Sequence, residues 1–320
     1  MTGEAVVRVH RGEGVESEHR VAWALAEAEG EPGRPVFVRS AAKPFQALAA
    51  VRAGVPERFG LGAEHLALAC ASHGGGEAHV RRVRETLAAA GRAEADLGCG
   101  PAEPRDPAAA GAYREAGGRP EPVRHNCSGK HAFAIALAVA EGWPVEGYFD
   151  AGHPVQAAMC RGLAEATGVA PEELAHATDG CGMQTSAVPL ARLADAFGRL
   201  AGGGLGAAGE RLAGAMTAHP ELVAYDGALD TELMRAHPGL VAKIGAEGVL
   251  GIGLADGRGA ALKVLDGAAR GLDPAALLVL EERLGVATAA PALEHLREAP
   301  VVNSRGERVG RAEAAFATPA

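Results

Sequence analysis

The sequence predicts an α+β fold: an antiparallel sheet assembled from both ends of the chain, flanked by helices, with a helical lobe in the middle. Three observations carry this reading. Short apolar or alternating runs closed by Gly or Pro fill the first 40 residues, and similar runs return near the C-terminus. Segments with a 3.6-residue apolar period fill the stretch between. Strands at both ends and helices between them suit a sheet closed by the two termini.

The elements follow in order. "AVVRVHRG", "HRVAWALAEAEG" and "RPVFVRS" read as strands. Pro44 suits a first helical turn, so a helix begins there and residues 38–43 form a strand-to-helix corner. "GEAHVRRVRETLAAAG" (76–91) places Val80, Val83 and Leu87 on one helical face. Residues 97–122 are rich in Pro and Gly and read as a long surface excursion. "SGKHAFAIALAVAEG" reads as a helix capped by Ser128 and ended by Gly142. "HPVQAAMCRGLAEATG" (153–168) and "PLARLADAFGRLAGGG" are further helices. "GVLGIGLADGRGAALKVLDG" reads as a hairpin about its "DGRG" turn. The helix "DPAALLVLEERLG" and a last short strand near "ERVGRAEAAF" close the chain. No internal repeat is visible. The expectation for residues 1–320 is a single catalytic unit of two intimate lobes.

Composition narrows the function classes. The chain is 48% hydrophobic, as a globular protein is. A net charge of −9 repels phosphate backbones and anionic lipid, which argues against nucleic acid and membrane partners. No apolar run reaches membrane-spanning length and "MTGEAVVRVHRGEG" has no signal-peptide pattern, so the expected compartment is the cytoplasm. Five irregularly spaced cysteines do not suggest a disulfide framework.

The chemistry gathers around lysine. The chain has four lysines against 27 arginines. An arginine does not give up its proton in a protein, whereas a desolvated lysine can. Ser40 and Lys43 stand three apart in "VRSAAKPFQALAA", a spacing at which an amine can take a hydroxyl proton. Lys130 lies in "NCSGKH" and Lys243 in "VAKIGAEG"; Lys263, on a strand, lacks such a setting. "ACASHGGGEAH" brings Ser72 and His73 beside three glycines. Glycines allow close backbone approach and can present N–H groups to an oxyanion. The other reading of that stretch is a strand ending in a helix cap, with His79 on the helix surface. Cys127 and Cys181, in "RHNCSGKHAF" and "TDGCGMQ", are either buried structural thiols or metal ligands; neither C-x-x-C nor H-E-x-x-H spacing is present. The fork of Arg39 matches a substrate carboxylate; a surface charge is the alternative.

Taken together, "VRSAAKPFQALA", "ASHGGGEAHV", "NCSGKHAFAIALA", "HPVQ", "DGCG" and "AKIGAEGV", in that order, resemble the L-asparaginase II family, the Rhizobium etli-type asparaginases. The resemblance implies a fold similar to serine β-lactamases and glutaminases. It implies hydrolysis of L-asparagine to L-aspartate and ammonia by two Ser–Lys pairs, Ser40 with Lys43 and Ser72 with Lys243. It further implies zinc held by Cys127, Lys130 and Cys181 and not required for hydrolysis, a role for Asp179, and a homodimer. In the expected scheme Ser40 attacks the amide as Lys43 accepts its proton. Ser72 and Lys243 relay protons, and backbone N–H groups, including that of Ser40, hold the oxyanion. Arg39, Asp179 and His73 are the substrate-binding candidates. "MQTSAVPL" after "DGCG" and the rich glycine run at 74–76 depart from the family pattern and bear on substrate preference. Two other readings stay open. One is a penicillin-interacting acyl-serine protein, against which the lack of "KTG" and "SDN" argues. The other is a non-catalytic zinc or small-molecule binding protein on the same scaffold.

Overall fold

The computed structural model describes residues 4–26 and 29–317. A seven-stranded antiparallel sheet is formed by β1 (Glu4–Arg11), β2 (Gly14–Leu25), β6 (Val241–Gly245), β7 (Val249–Gly253), β8 (Gly259–Val264), β9 (Val301–Val302) and β10 (Arg308–Phe316), in the order β6-β7-β8-β2-β1-β10-β9. Both ends of the chain meet at its centre, where β1 pairs β10 from Ala5–Phe316 to Arg11–Gly310. The expected α+β class and the sheet built from both termini are what the chain adopts. β10, read as a short strand, runs nine residues.

Strands β3 (Pro35–Phe37), β4 (Ala175–Thr178) and β5 (Gln184–Pro189) make a second sheet, β3-β5-β4. β4 and β5 escape a reading by pattern. β4 is exposed at every residue, so it shows no inward face, and Pro189 closes β5.

The helical lobe centres on Ser128–Glu141, which is buried without a break from Ser128 to Ala138. A helix apolar on all sides belongs in a core. Around it lie Lys43–Arg52, Ala63–Ala69, Glu77–Ala89 and Pro154–Thr167. Val80, Val83 and Leu87 face inward, as their spacing predicts. Two local expectations are corrected. Ser128 is not the cap of its helix: Cys127 holds that position, and the Ser128 hydroxyl donates to Val123 O at 2.7 Å. The 97–122 excursion contains a helix, Pro107–Glu115, capped by the Asp106 carboxylate accepting from Ala108 N. Pro107 starts that helix rather than marking a loop.

Helix Leu190–Ala201 packs on β7 and β8, and helix Leu272–Leu284 packs on β1, β2, β8 and β10. One contiguous apolar core runs through sheet and helical lobe alike. Among the described residues no helix is long and apolar enough to cross a membrane.

Candidate active site

The corner between β3 and helix Lys43–Arg52 is a single tight turn, Arg39–Ala42. It begins with Arg39 at φ +48°, an uncommon backbone for a side chain with a Cβ. The turn delivers Ser40 and Lys43 into the interior, where they are 9% and 1% exposed.

The Lys43 side chain does not reach back to Ser40: the turn's own bond runs from Lys43 N–H to Ser40 O, and among the described residues none joins the amine to the hydroxyl. Its amine runs across to the end of helix Ala63–Ala69. There it donates to Ala71 O at 2.5 Å, to Ser72 Oγ at 3.1 Å and to Cys127 Sγ at 3.2 Å. A fourth acceptor, Asn126 O, lies farther off at 3.5 Å. Spacing in the chain therefore paired Lys43 with Ser40, whereas packing pairs it with Ser72.

Ser72 lines a cavity of ≈ 330 Å³, at the lower end of the roughly 300–1,000 Å³ of ligand clefts. Lys243 on β6 lines the same cavity and is fully buried. Its amine donates to Ile244 O at 2.7 Å and meets Asp230 Oδ2 at 3.4 Å. Burial pulls the Lys243 pKa down to about 8 against the pull of Asp230, and the positive charges of Lys43 and Arg105 add to the lowering.

The substrate-binding candidates fall elsewhere. His73 is wholly buried: Nδ1 accepts from Gly75 N at 3.1 Å, leaving Nε2–H to donate to Ser128 Oγ at 2.9 Å. Burial and the stacked ring of His79 hold it well below the usual histidine range. It is a satisfied core imidazole. His79 is itself buried and donates from Nε2 to Glu221 O at 3.0 Å, so it is not a surface residue. Arg39 and Asp179 bond each other, Nε to Oδ1 at 2.6 Å, and Arg39 lines a neighbouring cavity with Glu247 and Lys263. Gly74 serves packing. Gly74 N donates to Ala224 O, and a Cβ there would stand 2.8 Å from the Asp106 Cβ and 2.9 Å from the Tyr225 Cβ.

Cys127, Lys130 and Cys181 converge, each under 5% exposed. Lys130 Nζ donates to Cys181 Sγ at 3.0 Å. The hydrogen bond from Cys181 holds Cys127 well below the usual thiol range, while Cys181 is pushed up. Among the described residues no group of three or more His, Cys, Asp or Glu side chains is placed to hold a metal. The convergent set has two such residues and completes itself with an amine.

Three further residues of the cavity carry no sequence signal. Arg105 lies in the stretch read as a surface excursion, and Asp230 and Asp273 open ordinary helices as first-turn acids.

The family model for L-asparaginase II matches residues 7–314 of the chain. No curated protein sequence matches it. Among solved structures, one of Mglu shares 14% identity over 90% of this chain and 68% of its own, at a TM-score of 0.44. Mglu in its native form gives 14%, 90%, 66% and 0.45, and that form in 4.3 M NaCl gives 15%, 89%, 62% and 0.38. The chain thus spans about two thirds of the length of these proteins.

Proposed function

Because the chain belongs to the L-asparaginase II family, an amidohydrolase family of asparaginase type, we propose that it cleaves the side-chain amide of L-asparagine through a serine acyl-enzyme. The observation that carries this is a serine hydroxyl on a cavity wall, bonded to one buried amine and sharing the cavity with another. Ser72 Oγ lies 3.1 Å from Lys43 Nζ and shares its cavity with Lys243.

Ser72 Oγ attacks the amide carbon and its proton passes to Lys243, the amine whose pKa lies near 8. Lys43 holds the hydroxyl in place through its 3.1 Å hydrogen bond. Lys243 returns the proton to the amide nitrogen, the C–N bond breaks and ammonia leaves. Water then attacks the ester carbon, giving its proton to Lys243; the Ser72–acyl bond breaks, Lys243 returns that proton to Ser72 Oγ, and L-aspartate leaves.

One observation favours the alternative in which Ser40 attacks and Lys43 is the base: the strained Arg39 backbone stands directly before Ser40. The test is ammonia release from L-asparagine by wild type, Ser72→Ala and Ser40→Ala, with acid-quenched enzyme searched by peptide mass for the aspartyl ester. Ser72→Ala is expected to lose ~10³-fold or more in kcat, and the ester to sit on the Ser72 peptide. An ester on the Ser40 peptide selects the alternative, and wild type inert on asparagine, glutamine and other small amides rejects the reading.

Cys127, Cys181 and Lys130 suit zinc, since two thiols and an amine converge in one buried spot. They would hold the ion, and zinc there supplies a Lewis acid that fixes the loops carrying Cys127 and Cys181. Elemental analysis is expected to find zinc in wild type, lost in Cys181→Ser, with ammonia release surviving chelation. Metal-free wild type grown in zinc sinks this assignment.

A further inference from the structure

Resting on the amide-hydrolase reading, the geometry points to a cavity built for an amino-acid zwitterion, with Arg105 taking the α-carboxylate and the Asp230–Asp273 pair taking the α-ammonium.

The cavity beside Ser72 is lined by charges of both signs: Arg105, Lys243 and Arg270 against Asp230, Glu247 and Asp273. A lining of balanced sign suits a ligand that carries one charge of each kind, not a dianion or a dication. The partners of these groups show which are free to bind. Arg270 is engaged, donating to His19 Nε2 at 2.8 Å and to Ser17 Oγ at 2.9 Å. Lys243 is engaged with Ile244 O and Asp230. Among the described residues the exposed Arg105 guanidinium has no hydrogen bond or ion pair of its own. Its fork is therefore available for two parallel bonds to a carboxylate.

The acidic end is more telling. Asp230 is 1% exposed, yet among the described residues its Oδ1 has no hydrogen-bond partner. A buried carboxylate oxygen without a donor is costly and calls for a ligand that brings one. The Asp273 carboxylate, at the start of helix Leu272–Leu284, likewise makes no hydrogen bond among the described residues. Burial and the neighbouring Asp230 charge push Asp273 up to about 6. An ammonium seated there supplies the missing donors and offsets the repulsion between the two acids. It also adds a positive charge beside Lys243 and so favours the neutral amine that the reaction uses. Arg39, Asp179 and His73, the substrate-binding candidates of the sequence analysis, are bonded to each other or enclosed in the core. The ligand's charges fall instead to residues from three distant segments.

Binding of the product and two truncated relatives tests this without turnover. L-Aspartate, succinate (no ammonium) and β-alanine (no α-carboxylate) are titrated calorimetrically into the full chain as wild type, Arg105→Gln and Asp273→Asn. Wild type is expected to prefer L-aspartate to both relatives. Arg105→Gln should weaken L-aspartate and succinate by ~10-fold or more, beyond its effect on β-alanine. Asp273→Asn should weaken L-aspartate and β-alanine to a similar degree, ~10-fold, beyond its effect on succinate. No L-aspartate binding by wild type, or variants that weaken all three ligands alike, overturns the assignment. Failure of the amide-hydrolase reading is a separate result: no ammonia from any amide while the binding pattern holds.

Discussion

Lys243 is an amine where an ammonium is expensive to keep. Full burial draws its pKa to about 8, and Asp230 stops it from falling further. If the neutral amine is the base, kcat/KM for L-asparagine rises with pH along a limb near 8 and levels above it. Asp230 favours the charged form, so Asp230→Asn is expected to move that limb to lower pH. A limb that stays in place, measured over the same buffers, removes Lys243 as the titrating base. The residue scale is also where the sequence was most legible. A chain that uses arginine almost everywhere keeps lysine at positions 43, 130 and 243, and all three are under 5% exposed. An amine is smaller than a guanidinium and can be desolvated with fewer partners. Partner choice was not legible. Nothing in "SAAKP" shows that the Lys43 side chain passes Ser40 and ends at Ala71, Ser72 and Cys127.

At the scale of elements, β6 and β7 bring the site and the core together. β7 is buried along its whole length, and Gly253 lets helix Leu190–Ala201 lie directly on it: a Cβ there would stand 1.9 Å from Phe197 O. Backbone cannot yield as a flexible side chain does. Gly253→Ala is expected to cost about 1–3 kcal/mol or more, read as a lowered denaturant midpoint at unchanged slope. Wild-type stability in that variant contradicts the close contact. Elements with strong period or punctuation were readable: the two N-terminal strands, the hairpin about "DGRG", and the helices at 76–91, 128–142 and 153–168. His153 and Pro154 mark their helix start as expected, with the His153 ring accepting from Val155 N. β4 left no such trace, because an exposed strand held by the pairing of Ala175–Ala187 to Thr178–Gln184 needs no inward apolar face.

For the whole molecule, the contacts that matter join segments far apart in sequence. β1 pairs β10 across the length of the chain, and Arg105, Asp230 and Asp273 reach one cavity from three separate regions. The sequence by itself determined the α+β class, the two-ended sheet and the unusual lysines, because periodicity, punctuation and composition are local properties. Only the tertiary structure decided that the Lys43 amine bonds Ser72, that His73 is enclosed, and that, among the described residues, an unbonded guanidinium and an orphan carboxylate oxygen share a cavity. Those are matters of distance and desolvation, and neither exists until the chain has closed around them.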